Sequence, residues 1–132
     1  MARVTVWCHA DSNVVIAYYA ITPTQVAPDG LTRSVRAGYS GPIPGYLVAK
    51  LALSRKLVGQ GLGGQLLLDA LETISDAADI AGGRLIVVDA IDQRAFDFYR
   101  YFGFTQVGNN MRLFARIADV AASIESGSHL GR

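Results

Sequence analysis

The chain has 132 residues, 51% of them hydrophobic and 17% charged, with a formal net charge of +1. That length indicates one domain, and the apolar share supplies a packed core and excludes disorder. A charge so close to neutral excludes an electrostatic nucleic-acid binder over the whole surface and leaves only local basic patches.

The one cysteine, Cys8, excludes a disulfide framework and reads as a small buried hydrophobe inside an apolar strand. No apolar run reaches the roughly 18 residues of a membrane span. The N-terminal stretch lacks the long apolar segment of a secretory signal, so the expected location is the cytoplasm. Residues 126–132, with His129, read as a flexible tail behind a single domain over 1–125.

Residues 3–9, RVTVWCH, are β-branched and aromatic and predict a strand, and residues 14–21, VVIAYYAI, predict its hairpin partner. All four prolines fall in residues 22–45, which predict a long loop. Residues 45–53, GYLVAKLAL, predict a third strand. From Leu62 onward Leu67, Leu71, Ile74 and Ala78 recur on one helical face, and Gln65, Asp69, Glu72, Asp76 and Asp79 occupy the other. Gly82 and Gly83 end that helix. RLIVVDA, residues 84–90, has the near-continuous apolar content of a strand buried on both faces in a parallel pairing. Asp92 is a good N-cap for a second helix, with Ala95, Phe98, Tyr99 and Phe102 as its inner stripe and Gly103 as its end. FTQVG and MRLFARI predict a closing hairpin, followed by a short helical ADVAASI. The order is a mixed sheet with helices packed on it.

The chemistry concentrates between the third strand and the first long helix, in Gly59-Gln60-Gly61-Leu62-Gly63-Gly64. Glycine costs roughly 0.5–1 kcal/mol against alanine in a helix, so a bare backbone here needs a reason. Gly59, Gly61 and Gly64 spell G-x-G-x-x-G, and Asp89 ends the next strand where a dinucleotide ribose would sit. Against a dinucleotide stand the intervening SRKLV and the absence of enough further strand–helix–strand units for a doubly wound sheet. A Walker loop is excluded, since no Gly-Lys-Ser/Thr follows. The better reading places backbone N–H groups and the positive end of a helix around a diphosphate. The ligand's long amide-bearing arm then lies along an exposed strand edge, as coenzyme A would.

Two segments, LALSRKLVGQGLGGQLLLDAL and AIDQRAFDFYRYFGF, resemble the GNAT acetyltransferase superfamily. The first is similar to its Gln/Arg-x-x-Gly-x-Gly/Ala diphosphate motif, with Val58 at the Gln/Arg position. The second matches its Ala-x-x-Phe-Tyr-x-x-x-Gly-Phe element at Ala95, Phe98, Tyr99, Gly103 and Phe104. The resemblance covers residues 3 to 118. More narrowly, VVIAYYAI, the glycine segment and FDFYRYFGF resemble the toxin branch of that family, in a form shortened at its N-terminus by a strand and two helices.

The resemblance implies a mixed, mostly antiparallel sheet with a central splayed parallel pair and helices on both faces. It implies acetyl-CoA as co-substrate, no metal, and acetyl transfer to a primary amine, here the α-amine of an aminoacyl-tRNA. Its partners would be a ribbon-helix-helix antitoxin and a second copy of the chain in a homodimer. Tyr99 would be the acid that protonates the coenzyme A sulfur, since a phenol near pKa ~10 keeps its proton at neutral pH. Leu51, Ala52, Leu53, Val58, Gly59, Gln60, Gly61, Leu62, Gly63, Gly64, Asp92 and Phe98 would bind the co-substrate, and a backbone N–H near Leu51–Leu53 would hold the thioester oxygen. No general base stands out; Asp89 and His9 are the candidates. Arg33, Arg36, Lys50, Arg55 and Lys56 form a candidate basic rim for a coenzyme A phosphate or tRNA backbone. The alternatives are a GNAT enzyme acting on a small or protein amine, a catalytically impaired coenzyme A-binding module, and the dinucleotide binder.

Overall fold

The computed structural model describes residues 3–8, 10–11, 14–36, 38–57, 59 and 61–125. The expectations placed on His9, Val58, Gln60, His129 and the 126–132 tail lie outside these residues. Six strands form one sheet: β1 (Arg3–Cys8), β2 (Val15–Val26), β3 (Ile43–Leu53), β4 (Leu85–Asp89), β5 (Thr105–Gln106) and β6 (Arg112–Arg116), in the order β1-β2-β3-β4-β6-β5. Among the described residues only β3 and β4 are parallel. A single parallel pair is incompatible with the doubly wound sheet of a dinucleotide fold.

Helices lie on both faces. On one face α2 (Leu62–Ala81), α3 (Gln93–Tyr101) and α4 (Ile117–Glu125) share a core with the sheet, including Leu67, Leu71 and Ile74 of α2. The short α1 (Arg33–Arg36) carries Val35 into a smaller cluster on the other face with Leu31, Ile43, Leu85, Val87 and Phe114. β4 is therefore covered on both sides, as its apolar run predicts.

Three expectations are corrected. First, β2 runs on through Val26, so the connection to β3 is shorter than the prolines suggest. Pro23 lies two residues past Ile21, and by alternation its missing N–H falls on the β1 side, where no ladder bond is lost among the described residues. Second, Cys8 is exposed. Trp7 beside it packs against the larger core, whereas Cys8 is exposed like Val4 and Val6. Third, Asp69 is no solvent-facing residue of α2. Its carboxylate accepts from Trp7 Nε1 at 2.8 Å and from the Tyr19 hydroxyl at 3.0 Å, tying the first hairpin to the helix.

Candidate active site

The site is built on a change of pairing partway along β3. Gly45 to Val48 pair with Leu85 to Val88 of β4, and there the parallel ladder stops. β3 continues to Leu53 against β2 alone, past an irregularity where Ala20 pairs with Lys50 but Ile21 with Val48, leaving Ala49 as the extra residue. On its other side the β4 end stays with β6, where Ala90 N–H donates to Met111 O at 3.0 Å. Past Val48, among the described residues, no strand pairs with that edge of β3, and this unpaired edge beside the end of β4 is the wedge.

The antiparallel register says which peptide groups line that wedge. Ser54 N–H donates to Ile16 O at 2.7 Å, so Ser54 faces β2, and Ala52 and Lys50 do the same by alternation. Leu51 and Leu53 turn their N–H and C=O groups the other way, to the open side. Of the three residues expected to contact an extended ligand, the fold leaves Leu51 and Leu53 with free edge groups and pairs Ala52 with Tyr18.

The glycine segment divides into two pairs with different reasons. Gly59 and Gly61 have φ of +90° and +77°, and an added Cβ would meet nothing within 4 Å. They are glycine for the left-handed turn alone. Gly63 and Gly64 lie inside α2, where a Cβ would come to 3.4 Å of Phe98 and 2.8 Å of Phe102. They let α3 close on the first turn of α2. Gly61 is the N-cap, no side chain caps the helix, and the first turn holds no acidic residue. Its orphan N–H groups and positive dipole end are thus uncompensated by the protein. These features fit a bound diphosphate, and the open wedge beside them fits an extended arm.

Tyr99 lies in the larger core with Phe98 and Phe104 edge-on at ring distances of 5.3 and 5.8 Å. Burial pushes its phenol up to about 12, so it keeps its proton throughout the neutral range. Among the described residues nothing hydrogen-bonds its hydroxyl, and that oxygen is not sealed from solvent. A core tyrosine with its hydroxyl tied off, the plain structural alternative, is not what is found. Asp92 does cap α3, accepting from Ala95 N–H at 2.8 Å, which occupies one carboxylate oxygen. The α3 stripe also buries Phe96, which the spacing argument missed in favour of its neighbour Ala95.

Asp89 is no base. Arg112 holds it through two bonds of 2.7 and 2.8 Å, and that hydrogen-bonded guanidinium keeps its carboxyl below the usual value. The expected basic rim is also not one rim. Arg33 and Arg36 sit on α1, whose Val35 carbonyl accepts from Arg84 Nε just before β4, at the closed end of the parallel pair. Arg55 and Lys56 follow β3 at its open end, with Lys50 exposed between. Eleven residues of β3 separate the two groups. Among the described residues no cluster of His, Cys, Asp or Glu could hold a metal, and no helix is long and apolar enough to cross a membrane.

No protein-family model matches the chain. It is 39% identical over 90 residues to a tRNA-acetylating toxin of Mycobacterium tuberculosis, a match covering 68% of this chain and 54% of the relative. It is 28% identical over 130 residues to a probable toxin TacT of Sinorhizobium fredii, covering 89% of this chain and 71% of the relative. The chain thus spans about half the length of the first relative and under three quarters of the second. The toxin AtaT, solved in complex with acetyl-methionyl-tRNAfMet, superposes with a TM-score of 0.85 at 25% identity over 93% of this chain and 75% of its own. AtaTR bound with AcCoA superposes at 0.79 and 25% identity over 93% and 74%.

Proposed function

We infer the reaction from one premise: this chain belongs to the GNAT acetyltransferase superfamily, on its toxin branch. We propose that it transfers acetyl from acetyl-CoA to the α-amine of an aminoacyl-tRNA. Three observations support the proposal: an uncapped, glycine-entered helix end, a strand edge without a ladder partner at Leu51 and Leu53, and a phenol that no described residue hydrogen-bonds. Relatives that act on or bind tRNA and acetyl-CoA support the choice of substrates.

Acetyl-CoA, when bound, supplies an activated thioester. The N–H groups around Gly59, Gly61, Leu62, Gly63 and Gly64 hold its diphosphate, and Val58 and Gln60, their neighbours in sequence, are proposed to take part. Arg55 or Lys56 takes its remaining phosphate. Leu51 and Leu53 pair with the amides of its arm, and one of their N–H groups stabilises the carbonyl oxygen as negative charge develops there. Phe98 walls the arm, and the second oxygen of Asp92 accepts from it. The acceptor nitrogen forms the new C–N bond as the C–S bond breaks, and Tyr99 gives its hydroxyl proton to the departing sulfur. The amine proton leaves to water, because Asp89 is committed to Arg112. The phenolate then regains a proton from water.

The protein acts in the cytoplasm, where charged tRNA is found. It pairs with a ribbon-helix-helix antitoxin and with a second copy of itself. A small or protein amine is the second reading, favoured by one observation: the basic residues are split between the two ends of β3 rather than joined into a track. Labelled acetyl transfer tested on aminoacyl-tRNA, polyamines and peptides decides between them, with preference for charged tRNA expected. Tyr99→Phe should lower the rate by about a hundredfold. A Tyr99→Phe protein as fast as wild type would remove the acid from the scheme.

A further inference from the structure

Gly64 lies just past residues 58–63, which align with the diphosphate motif, and a neighbour in space accounts for it. A Cβ there would come to 2.8 Å of Phe102 Cζ and 3.2 Å of its Cε1, so the tip of that ring is seated on bare helix backbone. Phe98, one helical turn earlier, stands in the same way against Gly63, 3.4 Å from a Cβ built there. The two rings pack on each other with centroids 4.9 Å apart. Both glycines belong to the first turn of α2, whose N–H groups are the proposed diphosphate site.

Phe102 is tied to Tyr99 just as closely. Its N–H donates to the Tyr99 carbonyl at 3.1 Å, and Phe104 N–H donates to the same carbonyl at 3.1 Å. Gly103, at φ +97°, makes the left-handed turn between them. Phe98 and Phe104 then meet the Tyr99 ring edge-on. The end of α3 is thus wound around Tyr99 through its backbone and keyed to α2 through the rings of Phe98 and Phe102.

We propose that Phe102 is a positioning residue for Tyr99: its ring, seated on Gly64, sets how far the phenol stands from the diphosphate-binding turn. The inference rests on the readings of Tyr99 as the acid and of that turn as the diphosphate site. One ligand spans both points, with its diphosphate at one end of the arm and its sulfur at the other. Proton transfer to that sulfur therefore demands a fixed offset between α2 and α3, and a misplacement of about 1 Å can cost about a hundredfold in rate. Among the described residues nothing hydrogen-bonds the Tyr99 hydroxyl, so packing has to hold the phenol in place. Rings in contact at close-packed density resist compression and hold such an offset. Any larger residue at position 64 would push on Phe102, and Phe102 passes the push to Phe98 by its ring and to Tyr99 by its peptide.

The test is a kinetic cycle on the full chain, run with whichever amine the wild type acetylates: charged tRNA, a polyamine or a peptide. Release of the coenzyme A thiol gives kcat and KM, and calorimetric titration with acetyl-CoA gives its Kd. Phe102→Leu withdraws the ring from Gly64 and should lower kcat about tenfold, with the Kd for acetyl-CoA within about threefold of wild type. Gly64→Ala drives a methyl into the ring and should also lower kcat. Combining it with Phe102→Leu gives the methyl room, so the double variant should be faster than Gly64→Ala alone. In a Tyr99→Phe background Phe102→Leu should cost nothing more, because the two residues act as one unit. Gly64→Ala supplies the same comparison by itself should Phe102→Leu fail to fold. A loss of thermal stability with kcat unchanged would make Phe102 ordinary packing and overturn the proposal. So would a loss of rate that is equally large with and without the Tyr99 hydroxyl. A slow Tyr99→Phe beside an unslowed Phe102→Leu discards the positioning role and keeps the acid. A Tyr99→Phe as fast as wild type removes the acid, and the proposal with it.

Discussion

The two halves of β3 are made of similar residues and do opposite things. From Gly45 to Val48 the strand is paired on both edges and largely buried. From Ala49 to Leu53 one edge has no ladder partner among the described residues, and the apolar side chains are only partly covered. The first half is tight enough that a Cβ on Gly45 would lie 2.5 Å from the Leu85 carbonyl oxygen. The second half is open by the same measure of pairing. A closed half paired on both edges holds an open half in place, so the edge proposed to bind is positioned by the strand that carries it.

The contrast can be attacked from either side. Gly45→Ala should be the most damaging structurally. It forces β3 and β4 apart where they are closed and should cost about 3 kcal/mol in denaturant unfolding. If the open half is set by the bulge at Ala49 and not by that contact, molecules still folded should keep their affinity for acetyl-CoA. Tyr99 gives the next effect. Its neutral form is favoured in the fold, so its contribution is complete below pH 10 and disappears as pH rises toward about 12. Unfolding free energy should fall by about 2 kcal/mol across that window, and Tyr99→Phe should abolish the fall. Gly61→Ala puts a side chain in the left-handed region, at about 1 kcal/mol of stability, with space available for the methyl. Its larger signature should be weaker acetyl-CoA binding in a thermal-shift titration. Asp89→Asn should matter least, below about 1 kcal/mol, since the pair with Arg112 is solvent-screened. Asp89 has a lowered value, so what the pair contributes is present above pH 3.8 and is lost as pH falls through its folded value.

What could be read beforehand was local. The Leu67, Leu71, Ile74 spacing gave α2, the apolar run Leu85–Val88 gave a strand covered on both faces, and Asp92 gave the cap of α3. The glycine segment and AIDQRAFDFYRYFGF carried the family resemblance without any three-dimensional information. What could not be read depends on who neighbours whom. Cys8 looks like core because its strand is apolar, and only the position of β1 at the sheet edge exposes it. Gly63 and Gly64 look like further members of a phosphate loop, and only α3 crossing α2 shows that Phe98 and Phe102 need their space. The five basic residues can be grouped as one rim on sequence alone, yet a strand's length divides them. Which of Leu51, Ala52 and Leu53 faces the wedge is a question of parity that hangs on the bulge, and no side chain reports it.

The chain's one tryptophan is the residue by which β1 is fastened to α2, through its indole N–H and Asp69. An indole in that position is a native fluorophore on the very strand whose attachment is in question. Its emission should redden and brighten or dim when the edge strand peels away, before the rest of the sheet yields, giving a label-free optical readout of local fraying in a molecule that needs no added dye.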